Sequence, residues 1–305
     1  MVNLPAPLVF GTVMVRQIIE ATIPMFSPSE LLPDCTPEIL EQEAPSLPPH
    51  SYDSESNLLV LTTQSYLVQS QGKNILVDAC IGNDKARKRP TFDHLETGWM
   101  ERLLATGVTP ADVDIVVCTH LHVDHVGWCS MLKEGRWVPT FPRARYLLVK
   151  PELDFFTRPE VSAVFERNGN YWIDSIQPVI DAGQVDCVSE DYRIDDNISL
   201  IHSPGDTPGN VAVLIRTEGR ERAIVCGDIF HHILQCKYPR WNSRFSQLQD
   251  MARQTRMALF ERYADTDVCI LSGHLPTPGY LVRKGVSYDF CPVKESFRMH
   301  AQRES

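Results

Sequence analysis

Short apolar runs alternate along the chain with polar breaks that carry glycine or proline, a rhythm of strands more than of long helices. Val13, Val15, Ile18, Ile19 and Ile23 alternate imperfectly and predict a strand or a pair of strands over residues 13–25. Runs at 58–62, 65–69 and 74–78 predict three more, the last two joined by Ser70, Gln71, Gly72 and Lys73, which is hairpin chemistry. Residues 112–118 close on Ile115, Val116, Val117 and Cys118 and read as a buried strand. Later strands are expected at 145–149, 185–188, 198–202, 211–216, 222–226, 267–271 and 280–282. Helical spacing is rarer. It marks 98–106 before Gly107, an interrupted region from Pro151 to Ile180, and 243–263, the clearest amphipathic segment, with Asn242 or Ser243 as its cap.

One stretch breaks the rhythm. Residues 27–56 hold Pro28, Pro33, Pro37, Pro45, Pro48 and Pro49 among acidic side chains, which predicts an extended arm with a short helix at 37–42. Such an arm either covers a pocket or reaches a second subunit, forming a homodimer. The expected organisation is an N-terminal strand and Pro-rich arm at 1–57, a main domain at 58–290 and a C-terminal tail at 291–305. With 305 residues, 43% of them hydrophobic, the chain can bury a sizeable core.

A formal net charge of -10 and the lack of a long basic stripe argue against nucleic acid or an anionic membrane surface as partner. The one short basic run, 85–89, reads as a solvated loop. Nine cysteines form no CxxC pair and several sit in apolar runs, so free thiols in a reducing cytoplasm are expected. The first residues lack a basic start followed by a cleavage site, and neither a signal peptide nor a membrane span is expected.

The chemistry concentrates at 119–125, T-H-L-H-V-D-H, directly after the buried run. Three imidazoles and a carboxylate fall within six residues at a strand end, where α/β sheets place their sites, and these are the usual nitrogen and oxygen ligands of zinc. Three later loops also follow strands: S-P-G-D-T-P-G at 203–209, C-G-D at 226–228 and S-G-H at 272–274. No nucleophile elbow, P-loop or dinucleotide glycine pattern competes with them.

In this order the four motifs resemble the metallo-β-lactamase superfamily over roughly residues 58–285. The resemblance implies an α/β fold, an αββα sandwich of two mixed β-sheets flanked by helices, with metal bound where the sheets meet. Within the superfamily the chain looks most like the branch of N-acyl-homoserine-lactone lactonases and methyl-parathion-hydrolase-like enzymes. The resemblance assigns His120 and His122 to a first metal, Asp124, His125 and His274 to a second, and Asp228 to a bridge between them. Asp206 stands where the family usually has histidine. As a ligand it would harden the first site toward manganese or iron; its other reading is an Asx-turn residue.

The implied cofactors are two divalent metal ions, zinc first, with manganese or iron as alternatives. Such a pair lowers the pKa of a shared water to roughly 7 and polarises a carbonyl or phosphoryl oxygen. The implied enzyme is a hydrolase of a lactone or ester, with Asp124 and His232 as catalytic residues that orient water and move a proton to the leaving group. His231 and His232 both follow Asp228 closely, and sequence does not say which faces the pocket. His202 reads as a core or supporting histidine, and His50 and His94 as loop residues. Phe26, Trp128, Trp137, Phe141 and Trp241 are core or rim; those that line a pocket favour an apolar small-molecule substrate. The same site could serve a phosphotriesterase or a hydrolytic dehalogenase. An iron-dependent oxidoreductase and a binding module whose metal site has decayed are the competing classes.

Overall fold

Period-two alternation sorts the apolar side chains of each strand onto opposite faces, and that sorting builds the layers of the computed structural model, which describes residues 4–293. In chain order, the first sheet gathers β1 (Leu8–Phe10), β2 (Val13–Phe26), β3 (Tyr52–Asp53), β4 (Leu58–Ser70), β5 (Lys73–Val77) and β6 (Ile115–Val117). After a separate hairpin of β7 (Ser130–Lys133) and β8 (Arg136–Pro139), it is completed by β9 (Arg145–Val149) and β10 (Val185–Val188). Its order is β1-β2-β4-β5-β6-β9-β10 with β3 beside β4, antiparallel as far as β5 and parallel from there on. The second sheet runs in sequence order through β11 (Ile198–His202), β12 (Val211–Thr217), β13 (Arg220–Val225), β14 (Cys269–Leu271), β15 (Gly279–Lys284) and β16 (Ser287–Pro292), and only β13 and β14 pair in parallel. Both sheets are mixed, as the sequence predicts.

Along β4, β5, β6 and β9, Val68, Val77, Val117 and Leu147 point between the sheets and meet Leu200, Val213, Val225 and Leu271 of the second sheet. Their neighbours Leu67, Leu76, Val116 and Leu148 point the other way, onto Trp99 and Leu103 of the helix Trp99–Ala105 and onto Val179 of Gln177–Asp181. On the far side, Leu214, Ile224 and Ile270 pack on Leu259, Phe260 and Tyr263 of the helix Gln249–Tyr263. The result is helix, sheet, sheet, helix. Each fully buried aliphatic side chain contributes about 1.5–3 kcal/mol, so the three apolar layers supply the main driving force for folding. Among the described residues no helix is long and apolar enough to cross a membrane, and Cys35, Cys80, Cys118, Cys129, Cys187, Cys226, Cys236 and Cys269 are free thiols.

Three expectations are revised. The runs at 58–62 and 65–69 are one 13-residue strand, β4, because the intervening Thr63 and Gln64 are buried and hydrogen-bonded instead of forming a turn. The helix expected at 243–263 starts at Gln249. Neither proposed cap serves it: Asn242 donates to the Gln249 carbonyl and accepts from Arg256, and the Ser243 hydroxyl accepts from the Phe245 amide. The basic run 85–89 is not a solvated loop. It alternates, with Lys85 and Arg87 buried. Arg87 makes a two-pronged contact with Asp174 at 2.6 and 2.8 Å, and the Lys85 ammonium lies 3.8 Å from the centre of the Trp137 ring. Burial pulls the Lys85 amine down to about 7, against the opposing pull of Asp174.

The proline-rich arm folds against its own chain through the short helices Pro28–Leu31 and Pro37–Glu43, the second capped by Thr36. Leu31 and Leu32 are fully buried, and Glu43 accepts from Lys237 and Tyr238. Most of the tail expected at 291–305, from residue 294 on, lies outside the described residues.

A buried acid ties the layers at the edge where the site lies. Glu20 of β2 accepts from the amides of Ile81 (2.8 Å) and Gly82 (3.0 Å) and from the Trp128 indole (2.8 Å). Burial raises its pKa, and these donors pull the other way. Replacing Glu20 with alanine strands four buried donors, the Thr63 hydroxyl at 3.3 Å among them, and is expected to destabilise the fold by about 2–4 kcal/mol, read as a lower urea midpoint. A loss under about 1 kcal/mol would show that the donors find other partners.

Candidate metal centre

Parallel strands β5 and β6 in one sheet and β13 and β14 in the other all bring their carboxyl ends to one edge. From β6 the chain runs through Thr119, His120, Leu121 and His122 into the one-turn helix Val123–Val126, which carries Asp124 and His125. Asp206 lies in the turn between β11 and β12, Asp228 follows β13, and His274 follows β14. Two glycines let these segments approach. Gly227 adopts φ +51°, and a Cβ on Gly273 would stand 2.9 Å from Asp228 Oδ1.

The seven residues singled out from sequence come together here. Ligand atoms of His120, His122, Asp206 and Asp228 lie within 4.8 Å of one another, as do those of Asp124, His125 and His274. In the first group His120 Nε2 is 3.0 Å from His122 Nδ1, 3.4 Å from Asp206 Oδ2 and 3.6 Å from Asp228 Oδ2. Asp228 spans both groups, with Oδ1 3.2 Å from His125 Nε2 and Oδ2 3.0 Å from His274 Nε2. Asp124 Oδ2 is 3.7 Å from His274 Nε2. All but Asp124 are buried, and Asp124 opens onto a pocket.

Further groups orient the imidazoles. His125 Nδ1 is 2.9 Å from Asp78, at the end of β5, and His274 Nδ1 is 2.9 Å from the Thr62 carbonyl, which leaves the Nε2 atoms aimed at the cluster. Asp78 also accepts from the Thr119 amide (2.8 Å) and hydroxyl (3.0 Å), and it holds a left-handed φ of 61° to do so. Glu152 accepts from the amides of Leu121 (2.7 Å) and Gly209 (3.0 Å), joining the histidine loop to the Asp206 turn. Burial raises the Glu152 carboxyl to about 7. Single acids far apart in sequence gave no motif, and sequence reasoning missed all three: Asp78, Glu152 and Glu20.

The electrostatics are those of ligands awaiting a cation. Burial alone would raise the carboxyls of Asp206 and Asp228, but the charge of His122 outweighs it at Asp206 and that of His274 at Asp228, so both are held below the usual range. Burial alone would lower the imidazoles, yet the Asp228 charge lifts His125 and brings His274 to about 9; His120 alone is lowered by burial. His122 Nε2, His125 Nε2, Asp206 Oδ2 and Asp228 Oδ1 are buried without an aligned hydrogen bond, Asp228 Oδ1 meeting His125 Nε2 at 3.2 Å and Asp206 Oδ2 meeting His122 Nδ1 at 2.8 Å as charged contacts. Buried polar atoms are rarely left this way, and four in one nitrogen-and-carboxylate cluster fit a bound divalent metal.

The structure decides between the paired histidines, against the choice of His232. Its Nε2 lies 2.7 Å from the Ser51 carbonyl, away from the cluster, and burial lowers it to about 4. His231 faces the pocket, with Nε2 3.3 Å from Asp228 and 3.5 Å from Asp206 and its ring stacked on His274. Gln235 Oε1 accepts from the amides of both residues and sets the turn that separates them. His202 is exposed on the Pro208 carbonyl, and His50 and His94 are surface residues. Of the aromatic residues flagged, Phe26 lines the pocket, whereas Trp128 and Phe141 are core.

The sequence profile of the Metallo-beta-lactamase superfamily matches residues 58–274. An N-acyl homoserine lactonase, AttM, of Rhizobium radiobacter is 25% identical over 191 residues, covering 61% of this chain and 67% of that protein. Among solved structures, the hydrolase AbOPH of the beta-lactamase superfamily superposes with a TM-score of 0.79 at 23% identity, covering 96% of this chain and 98% of its own. AidC, a dizinc quorum-quenching lactonase, superposes with a TM-score of 0.74 at 19% identity over 94% of this chain and 96% of its own.

Asp78→Ala tests the orienting network. It is expected to weaken zinc binding about 10- to 100-fold, as loss of a carboxylate behind a metal-binding histidine does, measured by competition with a chromophoric chelator. Unchanged affinity would remove Asp78 from the network.

Proposed function

The chain belongs to the metallo-beta-lactamase superfamily and is a hydrolase, and from that premise we propose that it hydrolyses a lactone or ester of a small molecule, using two divalent metal ions, zinc first. The observation that carries this reading is the set of adjoining donor groups, His120, His122, Asp206 and Asp228 beside Asp124, His125 and His274, with Asp228 also grouped with His231 and His274, at the floor of a pocket walled by Phe26, Leu61, Phe92, Val123 and Phe245. His120, His122 and Asp206 would hold the first ion, Asp124, His125 and His274 the second, with Asp228 between them. When bound, the ions supply Lewis acidity and a water of lowered pKa.

The protein's own groups do the rest. Asp124, the one partly exposed carboxylate of the set, orients water at the pocket floor and receives its proton. His231 stands over the same floor and meets the leaving oxygen, the part first expected of His232. The aromatic wall holds the acyl or alkoxy group and excludes water around the carbonyl. Buried free thiols such as Cys80, Cys118, Cys129 and Cys226 support a reducing, cytoplasmic setting.

Metal analysis of protein purified without chelator is expected to give about two ions per chain, and chelation should abolish hydrolysis until zinc or manganese is restored. A panel of lactones, aryl esters and phosphotriesters reads the substrate class; fewer than about one ion per chain with no activity restored by added metal would overturn the proposal. His231→Gln is expected to lower kcat about 100- to 10,000-fold, whereas His232→Gln should act mainly on stability through its Ser51 contact. Equal loss of kcat in both variants would remove His231 from the chemistry.

A further inference from the structure

Above the metal floor, the pocket mouth is built from a stack of four side chains contributed by four separate segments. The rings of Phe26 and Phe245 lie with centroids 4.8 Å apart. The Arg89 guanidinium sits 4.3 Å from the centre of the Phe26 ring, and the Arg167 guanidinium sits 4.7 Å from that of Phe245. Each arginine thus lies against one ring of the tilted aromatic pair, and all four line the same pocket as Asp124 and His231. Ring stacking fixes a guanidinium by its face and leaves its in-plane N–H donors free to meet a planar acceptor.

Those donors are under-used. Arg89 gives one nitrogen to Glu30 at 2.9 Å, and the Arg167 guanidinium has no hydrogen bond or ion pair among the described residues. Burial lowers the Arg167 guanidinium below its ordinary value and Arg89 pushes it the same way, while Tyr171, Asp206 and Asp124 pull it back. Two cations thus face one cleft whose carboxylates, Asp124 and Asp228, lie among the metal-facing residues, and of the two arginines Arg89 alone is ion-paired, to Glu30. Arg87, two residues from Arg89, shows the contrast, since both its arms are taken by buried Asp174.

We propose that the substrate carries an anionic group, a carboxylate in the first instance, at the end remote from the scissile carbonyl, and that Arg167 with Arg89 receives it at the pocket mouth while the carbonyl reaches the metal floor. This rests on the hydrolase reading above and narrows the substrate from an apolar ester or lactone to an acidic one with an apolar middle. The apolar span matches Phe26, Phe92 and Phe245, and the acid matches the free arm of Arg167.

The test compares matched pairs on metal-loaded enzyme. For turnover the pair is 4-nitrophenyl butyrate and mono-4-nitrophenyl succinate; for binding it is the slowly cleaved amides N-hexylbutanamide and N-hexylsuccinamate, followed by calorimetry. The anionic member of each pair is expected to be favoured at least about tenfold at low salt, through KM and Kd, with the preference shrinking as salt is added. Arg167→Leu should lower both ratios, and the double variant with Arg89→Leu should bring them close to one. Ratios at or below one, or a preference that survives the double variant because the carboxylate sits on the metals, would overturn the inference and leave the hydrolase reading intact. Hydrolysis of no ester would sink that reading instead, and the amide pair would still decide whether the mouth selects an acid.

Discussion

Carboxylates buried beneath the loops and satisfied by backbone amides hold this site together. Asp78 fixes Thr119 and the His125 ring, Glu152 joins Leu121 to Gly209, and Glu20 holds Ile81 and Gly82. A loop carrying several imidazoles would otherwise relax until each nitrogen found a partner, because unpaired buried polar atoms are costly. Here the loop ends are anchored, so His122 Nε2, His125 Nε2 and two carboxylate oxygens stay without an aligned hydrogen bond around one small volume. The affinity of the cluster for a cation is thus stored in hydrogen bonds that never touch the cation.

The layers and the central residues were legible in the sequence for the same reason: local chemistry announces them. Alternation of Leu67 with Val68 and of Val213 with Leu214 reports two-faced strands, and a three-histidine motif following Val117 reports a strand-end site. The supports were not legible. Asp78 meets His125 and Glu152 meets Gly209 across distances in the chain at which no periodicity survives. His231 and His232 have equal claims by composition, and only the Ser51 carbonyl and the Gln235 bridge turn one of them away. The shortened helix at Gln249 has a related cause: Phe245 looks like part of its apolar face but packs on Phe26 at the pocket.

The run 85–89 shows how composition misleads when geometry assigns the roles. Its five residues read as one solvated patch, yet strand-like alternation gives the three inward cations different surroundings. Lys85 lies over an indole, Arg87 is neutralised by a buried carboxylate, and Arg89 stands over a phenyl ring at an open cleft. Only the last is placed where a ligand can reach it.

The floor and the mouth of the cleft are carried by different parts of the chain. The metal-facing residues follow sheet strands, whereas Phe26, Arg89, Phe92, Arg167 and Phe245 come from a strand end and from connecting segments that contribute none of them. A change at the mouth therefore leaves the hydrogen bonds of Asp78 and Glu152 untouched. Selection could act on such a scaffold in two independent registers, holding the reactive edge constant while descendants exchange one class of molecule for another through a few rim substitutions.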